Sequence, residues 1–300
     1  MIGGYGVGMT MRVPAAPEAG ETVGGGVLSV GHGGKGSNQA VGAARLGARV
    51  SLFTAIGPDT AGEEARRFWQ AEGVDCERVH ASQAPTMTGF IIVDPTGENR
   101  ICIAPGALDD LTAELVEPFR ESIARAELLV VSLEVPLGAA AAALRIAEEE
   151  GVRTLLNPAP AGGLGPEIWT GADIVTPNRT EAAIMLGDSA DLDPAEAARR
   201  LHERSGAIAI VTAGRDGVHG CGPDGAFRAE AFPVAQVVDT TGAGDAFTAA
   251  LAVALTEGLP LEQAARFAAA AGAYAVTIAE VIPALPTRRQ LEDFMRAERQ

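Results

Sequence analysis

Short apolar runs alternate with longer stretches of helical spacing through the second half of the chain. Residues 128–133 form a strand-sized run interrupted only by Ser132, and Leu137–Glu150 is alanine-rich with a helical period. Residues 153–157 and 172–176 read as strands, 194–205 as a helix and 207–212 as a further strand. This alternation predicts a mostly parallel sheet covered by helices on both faces. Such sheets take their ligands beyond the carboxyl ends of the strands. Glu134, Asn157, Asn178, Thr212 and Asp245 each follow an apolar run, so they are expected to gather there.

Two segments break the alternation. Residues 9–31 are rich in Gly and Pro between short β-prone pieces. Residues 86–94 and 99–104 flank Pro95-Thr96-Gly97-Glu98, a hairpin signal. About 9–31 and 86–104 together predict a small β-sheet lid on one domain spanning 1–300, suited to excluding water from a site. A first buried strand needs about five apolar residues. Only Met1 and Ile2 precede Gly3-Gly4, so either the natural start lies upstream or this strand is clipped.

Composition narrows the function. The chain of 300 residues carries 23 Lys+Arg against 39 Asp+Glu, a formal charge of −16. A sequence pI near 4.7 excludes the basic stripe of a nucleic-acid binder. No apolar run approaches the roughly 20 residues of a spanning helix, and no basic segment followed by an apolar one opens the chain. Cys76, Cys102 and Cys221 are scattered and odd in number, and the four His show no ligand spacing. A cytoplasmic protein without a disulfide frame or zinc site is expected. Lys35 is the single lysine among the 23 basic residues.

Four motifs carry candidate chemistry. Asp239-Thr240-Thr241-Gly242-Ala243-Gly244-Asp245 opens an apolar helix. A glycine turn at a helix start points backbone N–H groups and partial positive charge outward, which makes an anion hole. Asp245 stands at that hole as a candidate general base, where a lone Asp after a Gly turn would otherwise read as a helix cap. Gly33-Gly34-Lys35-Gly36-Ser37-Asn38-Gln39 opens a second helix; it lacks the Walker A spacing and suits a polyhydroxylated ligand. Asn178-Arg179-Thr180-Glu181 places Asn and Glu one turn apart, as a capping box or as holders of hydrated magnesium beside phosphate. Val211-Thr212-Ala213-Gly214-Arg215-Asp216-Gly217 is a strand-to-glycine turn able to carry nucleotide phosphates.

With Gly20-Glu21-Thr22-Val23, Leu133-Glu134-Val135-Pro136 and Leu156-Asn157-Pro158-Ala159-Pro160-Ala161, these motifs resemble the ribokinase family of sugar kinases along essentially the whole chain. The resemblance implies a three-layer α/β/α Rossmann-like sheet with a β lid, and transfer of the ATP γ-phosphate to a sugar hydroxyl, D-ribose giving D-ribose 5-phosphate. It implies Asp245 as base, with the backbone of Gly242, Ala243 and Gly244 holding the phosphoryl charge. Gly34, Lys35, Gly36, Ser37, Asn38, Glu134 and Asp245 would line the sugar. Asn178, Thr212, Ala213, Gly214, Arg215, Asp216, Gly217 and Gly244 would line ATP, with Ala269 near the adenine. Glu181 would organise magnesium indirectly. Asp239, Thr241, Ala275, Ile278 and Glu280 would correspond to a potassium site, and a homodimer formed through the lids is implied.

Two departures stand out. The family ends its first strand in Asn-x-Asp, whose side chains bind sugar hydroxyls; the matching positions here are Gly6 and Gly8. Losing charge-assisted hydrogen bonds of about 1.5–3 kcal/mol each would weaken ribose by roughly ten- to a hundred-fold per bond. The cation loop reads Glu280-Val281-Ile282-Pro283-Ala284, where the family has glycine first and a hydroxyl last. A same-fold kinase for another sugar or a nucleoside is the nearer alternative, and a non-catalytic sugar-binding protein the remoter one.

Overall fold

The computed structural model describes residues 1–96, 98–189 and 191–297. Six strands lie side by side in chain order: Leu128–Ser132, Arg153–Asn157, Ile174–Val175, Ile208–Thr212, Val218–Gly222 and Gly225–Ala229. The first four are parallel; the fifth is antiparallel to the fourth, and the sixth antiparallel to the fifth. Helix Leu137–Glu150 makes the first crossover, and helices Arg179–Leu186 and Pro194–Ser205 fill another. Their ends have local causes. Gly151 terminates the first with φ 68, a left-handed turn that glycine adopts without strain. Pro194 opens the last, and Asp193 caps it by accepting from the amides of Ala195 and Glu196.

The strand alternation sorts the core into two layers. Leu129, Val131, Leu156, Val175, Ala209 and Val211 join one buried cluster with the Leu137–Glu150 and Pro194–Ser205 helices. Their strand neighbours Val130, Leu155, Ile174 and Ile210 join another, with helices Lys35–Arg45, Ala243–Thr256 and Leu261–Ala275. Both faces of the sheet are therefore covered, which accounts for its near-continuous apolar strands and confirms the three-layer α/β/α expectation. Among the described residues no helix is long and apolar enough to cross a membrane.

The amino-terminal segment extends the sheet by a single fully buried residue. Ile2 bridges Phe53 and Val131; its amide donates to the Val130 carbonyl, and its carbonyl accepts from Ser132. The chain then leaves the body, and Gly6–Arg12 already belongs to a second, four-stranded sheet in the order Val27–Gly33, Gly6–Arg12, Thr88–Val93, Asn99–Ala104. The last two strands form the expected antiparallel hairpin; Gly97, in its turn, lies outside the described residues.

Candidate active site

Two helices bring the central groups together. A Cβ added to Gly42 on the Lys35–Arg45 helix would stand 2.9 Å from the Cβ of Ala249 on the Ala243–Thr256 helix, so the two pack at nearly the closest approach allowed. One turn earlier on both, Asn38 Nδ2 donates to Asp245 Oδ2 at 2.8 Å. Gln39 Nε2 donates to Asp245 Oδ1 at 3.0 Å and to Asn157 Oδ1 at 3.0 Å. Asn157 Nδ2 in turn donates to the Thr176 carbonyl at 3.1 Å. The Asp245 carboxylate, 5% exposed, is thus fixed by two amides at the carboxyl ends of the parallel strands.

The turn before Asp245 is shaped for an anion. Gly242 has φ 81, and a Cβ there would meet Val281 Cγ1 at 2.7 Å, so glycine is required twice over. The first amides of the helix that follows lack intrahelical partners and carry its positive end.

Charge around the site is concentrated and mixed. Burial pushes the Asp245 carboxyl above its ordinary range, against the pull of Lys35, Asn38 and Gln39. Burial likewise raises Glu134 and Glu181. Burial alone would lower the Lys35 ammonium, but Asp245, Glu134 and Glu181 outweigh it and hold it above the usual lysine value. The Lys35 amide also donates to Glu134 Oε2 at 2.6 Å, which anchors the glycine turn to the body. Gly34 in that turn has φ 88, and a Cβ there would lie 2.5 Å from Tyr5 Cα.

A narrow cavity runs beside this centre, lined by Lys35, Asn157, Ala159, Thr176, Asn178, Glu181, Thr212, Gly244, Phe247 and Thr248. It joins Lys35 to four of the residues expected at the nucleotide and magnesium: Asn178, Glu181, Thr212 and Gly244. Asn178 and Glu181 form a reciprocal capping box, each side chain bonded to the other's backbone amide. Ala213 and the Gly214–Asp216 turn follow Thr212 at the strand end; Gly217, with φ 82, reverses the chain there. Asp216 pairs with Arg179 at 2.6 Å. Ala269 lies on the Leu261–Ala275 helix and is 9% exposed, outside the cavity lining.

Some expected residues have other uses. Ser37 is fully buried, and its hydroxyl accepts from Trp69 Nε1 at 2.8 Å, inside the core rather than toward a ligand. Gly36 packs on the Gly3 backbone. Asp239 Oδ1 accepts from the Thr241 amide and Oδ2 from the Glu280 amide, so the proposed cation loop is tied together by that carboxylate. The Ala275 carbonyl accepts from the Ile278 amide at 3.2 Å. Glu280 holds φ 66, the single positive-φ residue other than glycine among the described residues.

Gln39, Asn157, Ala159, Thr176, Phe247 and Thr248 are the site residues that motif reasoning left unassigned. Asn157 was signalled by its place at a strand's carboxyl end. Gln39 was not separable from its motif, because the group it serves lies 206 positions away.

Comparison with known proteins agrees with this geometry. The model of the pfkB family of carbohydrate kinases matches residues 6–288. A ribokinase of Haemophilus influenzae is 36% identical over 298 residues, covering 98% of this chain and 97% of that protein. Among solved structures, ribokinase from Thermotoga maritima superimposes with a TM-score of 0.90 at 32% identity, covering 98% of both chains. Arabidopsis thaliana ribokinase, solved with ribose and ATP, gives 0.90 at 27% identity, covering 98% of this chain and 97% of that one. The chain belongs to the pfkB family of carbohydrate kinases. It is an ATP-dependent phosphotransferase with a sugar hydroxyl as acceptor, on the ribokinase-like fold.

Proposed function

We propose that the enzyme phosphorylates D-ribose to D-ribose 5-phosphate. The observation that carries the reading is Asp245: a buried carboxylate, gripped by Asn38 and Gln39, beside the glycine turn of a helix start. A carboxylate so placed accepts the proton of an attacking hydroxyl while the amides of Gly242, Ala243 and Gly244 stabilise the phosphoryl charge. Catalysis then rests on position and electrostatics. Gly34, Lys35, Gly36, Asn38 and Glu134 bound the acceptor side. Asn178, Thr212 and the Ala213–Gly217 turn bound the nucleotide, with Ala269 toward the base. The sequence is read as one domain, 1–300, closed by its lid.

Magnesium fits this donor set. Among the described residues no cluster of three His, Cys, Asp or Glu could hold an ion alone, but Glu181 beside phosphate oxygens suits an ion that binds few protein ligands. Its part would be to neutralise phosphate charge. Asp239, Thr241, Ala275, Ile278 and Glu280 are the candidate potassium loop. Met11, Leu28, Val30 and Phe90 expose apolar side chains on the lid, consistent with a homodimer through that sheet in the cytoplasm. The test is ADP release from magnesium-ATP with ribose, with the product identified by mass and carbon-13 spectra. Absence of ribose 5-phosphate would reject ribose as acceptor. Gly6 and Gly8 favour a second reading, a kinase for another sugar or a nucleoside.

A further inference from the structure

The strand Val27–Gly33 leaves the lid and runs directly into Gly34-Lys35, so its last side chains decide how that loop meets the body. His32 stands at this junction, paired in register with Val7 across the lid sheet. Its ring lies flat on Phe68, with centroids 4.2 Å apart and 5° between the planes. Phe68 belongs to the body, on helix Thr60–Ala71. His32 Nδ1 also lies 2.9 Å from the Tyr5 hydroxyl. Tyr5 is fully buried and packs edge-on to Trp69, with ring centroids at 4.8 Å. Trp69 Nε1 in turn donates to Ser37, in the first turn of the helix that carries Asn38. The backbone of Gly34 presses on Tyr5 Cα. One half-buried imidazole thus joins the lid strand, the segment at Tyr5, a body helix and the loop of Lys35.

The hydrogen bond has a defined direction. Burial, with Glu64 and Asp59 nearby, raises the Tyr5 phenol well above its ordinary range, so it stays protonated and donates. His32 Nδ1 must then accept, which places the ring proton on Nε2 and requires the neutral form. Burial lowers the His32 pKa below its usual value; Glu64, one turn before Phe68 on the same helix face, opposes this without outweighing it. Asp59, which caps that helix, acts on Tyr5. Lys35, three residues along, interacts with Asp245, Glu134 and Glu181. A second proton on His32 turns Nδ1 into a donor. Tyr5 could then accept only by turning its own proton into a buried site where, among the described residues, it has no second partner.

We propose that His32 is a positioning residue for the acceptor loop: its neutral ring, held by Phe68 and the Tyr5 hydroxyl, fixes Gly33-Gly34-Lys35 against the body, and its protonation loosens that loop. His32 touches no reacting atom and acts through Tyr5 and Lys35. The inference rests on the reading that Lys35 bounds the acceptor. Its mark is acceptor affinity rather than turnover, because Asn38 and Gln39 hold Asp245 from further along the helix.

The test measures KM and kcat for ribose, with saturating magnesium-ATP from about pH 5 to 8, in the natural chain, His32→Phe, Tyr5→Phe and the double variant. Phe at position 32 keeps the stack and cannot titrate. At the alkaline end either single variant leaves one buried polar group unpaired. KM should then rise about three- to ten-fold with kcat within about two-fold, the scale of one hydrogen bond. That excess should shrink as pH falls, since the natural His32 then protonates. The double variant removes both polar groups and should restore the natural KM at the alkaline end, while binding ribose more tightly than the natural chain at the acidic end. A natural KM in His32→Phe overturns the proposal, as does a double variant no better than either single one. Amide hydrogen exchange across Gly33–Ser37 needs no acceptor. It should be faster in His32→Phe than in the natural chain, with helix Leu137–Glu150 exchanging alike in both, and equal exchange in the loop overturns the proposal. Absence of ADP with ribose at every pH would reject the ribose reading, and the exchange experiment would still decide the role of His32.

Discussion

Gln39 Nε2 lies 3.0 Å from Asp245 Oδ1 and 3.0 Å from Asn157 Oδ1, so one amide group orients the base and ties it to the end of a central strand. An amide donor favours the charged carboxylate, and burial opposes it. The net result is an Asp245 raised above the ordinary range. Gln39→Leu removes a donor to a charged group, an interaction of roughly 1.5–3 kcal/mol. The base should then titrate higher still, because a donor that favours its charged form is gone. As a base it works only when ionised, so the acidic limb of the kcat/KM profile should move to higher pH. ATP binding should change little, since Gln39 is absent from the nucleotide cavity lining. A profile that keeps its acidic limb would show that Gln39 does not tune the base.

Asp245→Asn separates activity from stability. Turnover should fall about 10²–10⁴-fold, the scale of general-base catalysis, with both substrates still bound. The same change should stabilise the unliganded protein. A buried carboxyl whose folded pKa is raised binds more protons folded than unfolded, so its contribution declines as pH rises from the unfolded value through the raised one. A neutral amide escapes that decline. Asn38 can turn over and offer its unpaired Oδ1 to the new amide. Melting temperature against pH should show the variant gaining on the natural chain above about pH 4, the ordinary carboxylate range. A variant that loses stability throughout would contradict the desolvated charge.

Gly42 sets the distance across which Asn38 and Gln39 reach Asp245. It stands one turn beyond Asn38, opposite Ala249, which stands one turn beyond Asp245. Gly42→Leu must push the helices apart, an overpacking cost of about 1–3 kcal/mol. Both bonds to Asp245 should lengthen together. The expected result is a loss of kcat much larger than the loss of stability, whereas Gly42→Ala, whose Cβ at 2.9 Å from that of Ala249 forces a smaller displacement, should lose less activity than the Leu variant. Equal kcat in the Leu variant would detach helix spacing from catalysis.

The sequence disclosed what local rules govern. Helix Leu137–Glu150 matched its expected span because Pro136 and Gly151 bracket it. The Asn178–Glu181 capping box is likewise written in four consecutive residues. Ser37 and Asn38 are neighbours in one motif, yet one faces Trp69 in the core and the other faces Asp245. Only the angle at which that helix docks decides between them. Met87 over Gly6 was illegible for a related reason: its thioether fills the volume a Cβ on Gly6 would take, while a Cβ on Gly8 would meet nothing closer than Ile91 Cδ1 at 3.7 Å. The position of Met87 depends on a parallel pairing between strands about eighty residues apart, where Val7 sits opposite Thr88. Gly6 and Gly8 could be seen as missing side chains, but not that one gap is filled and the other open.

Glu280 supplies a last prediction. Its φ of 66 and ψ of 155 lie in a region that glycine occupies freely and other residues avoid. Its amide is held by Asp239 Oδ2 at 3.2 Å, and Val281 packs where a Cβ of Gly242 would lie, so the loop cannot relax without disturbing the anion turn. Such a residue stores about 1–3 kcal/mol of strain. Glu280→Gly releases it and returns about 0.4–1 kcal/mol through the freer unfolded chain. The balance favours the variant. A rise in melting temperature of about 2–6 °C is expected at the few degrees per kcal/mol typical of large domains. The Gly242–Gly244 turn should keep its shape, so turnover without added potassium should be retained. Titrating potassium chloride against both chains then shows whether the cation acts through this loop: a response present in Glu280→Gly and absent in the natural chain would identify the glutamate as what closes it. A fall in melting temperature would refute the strain.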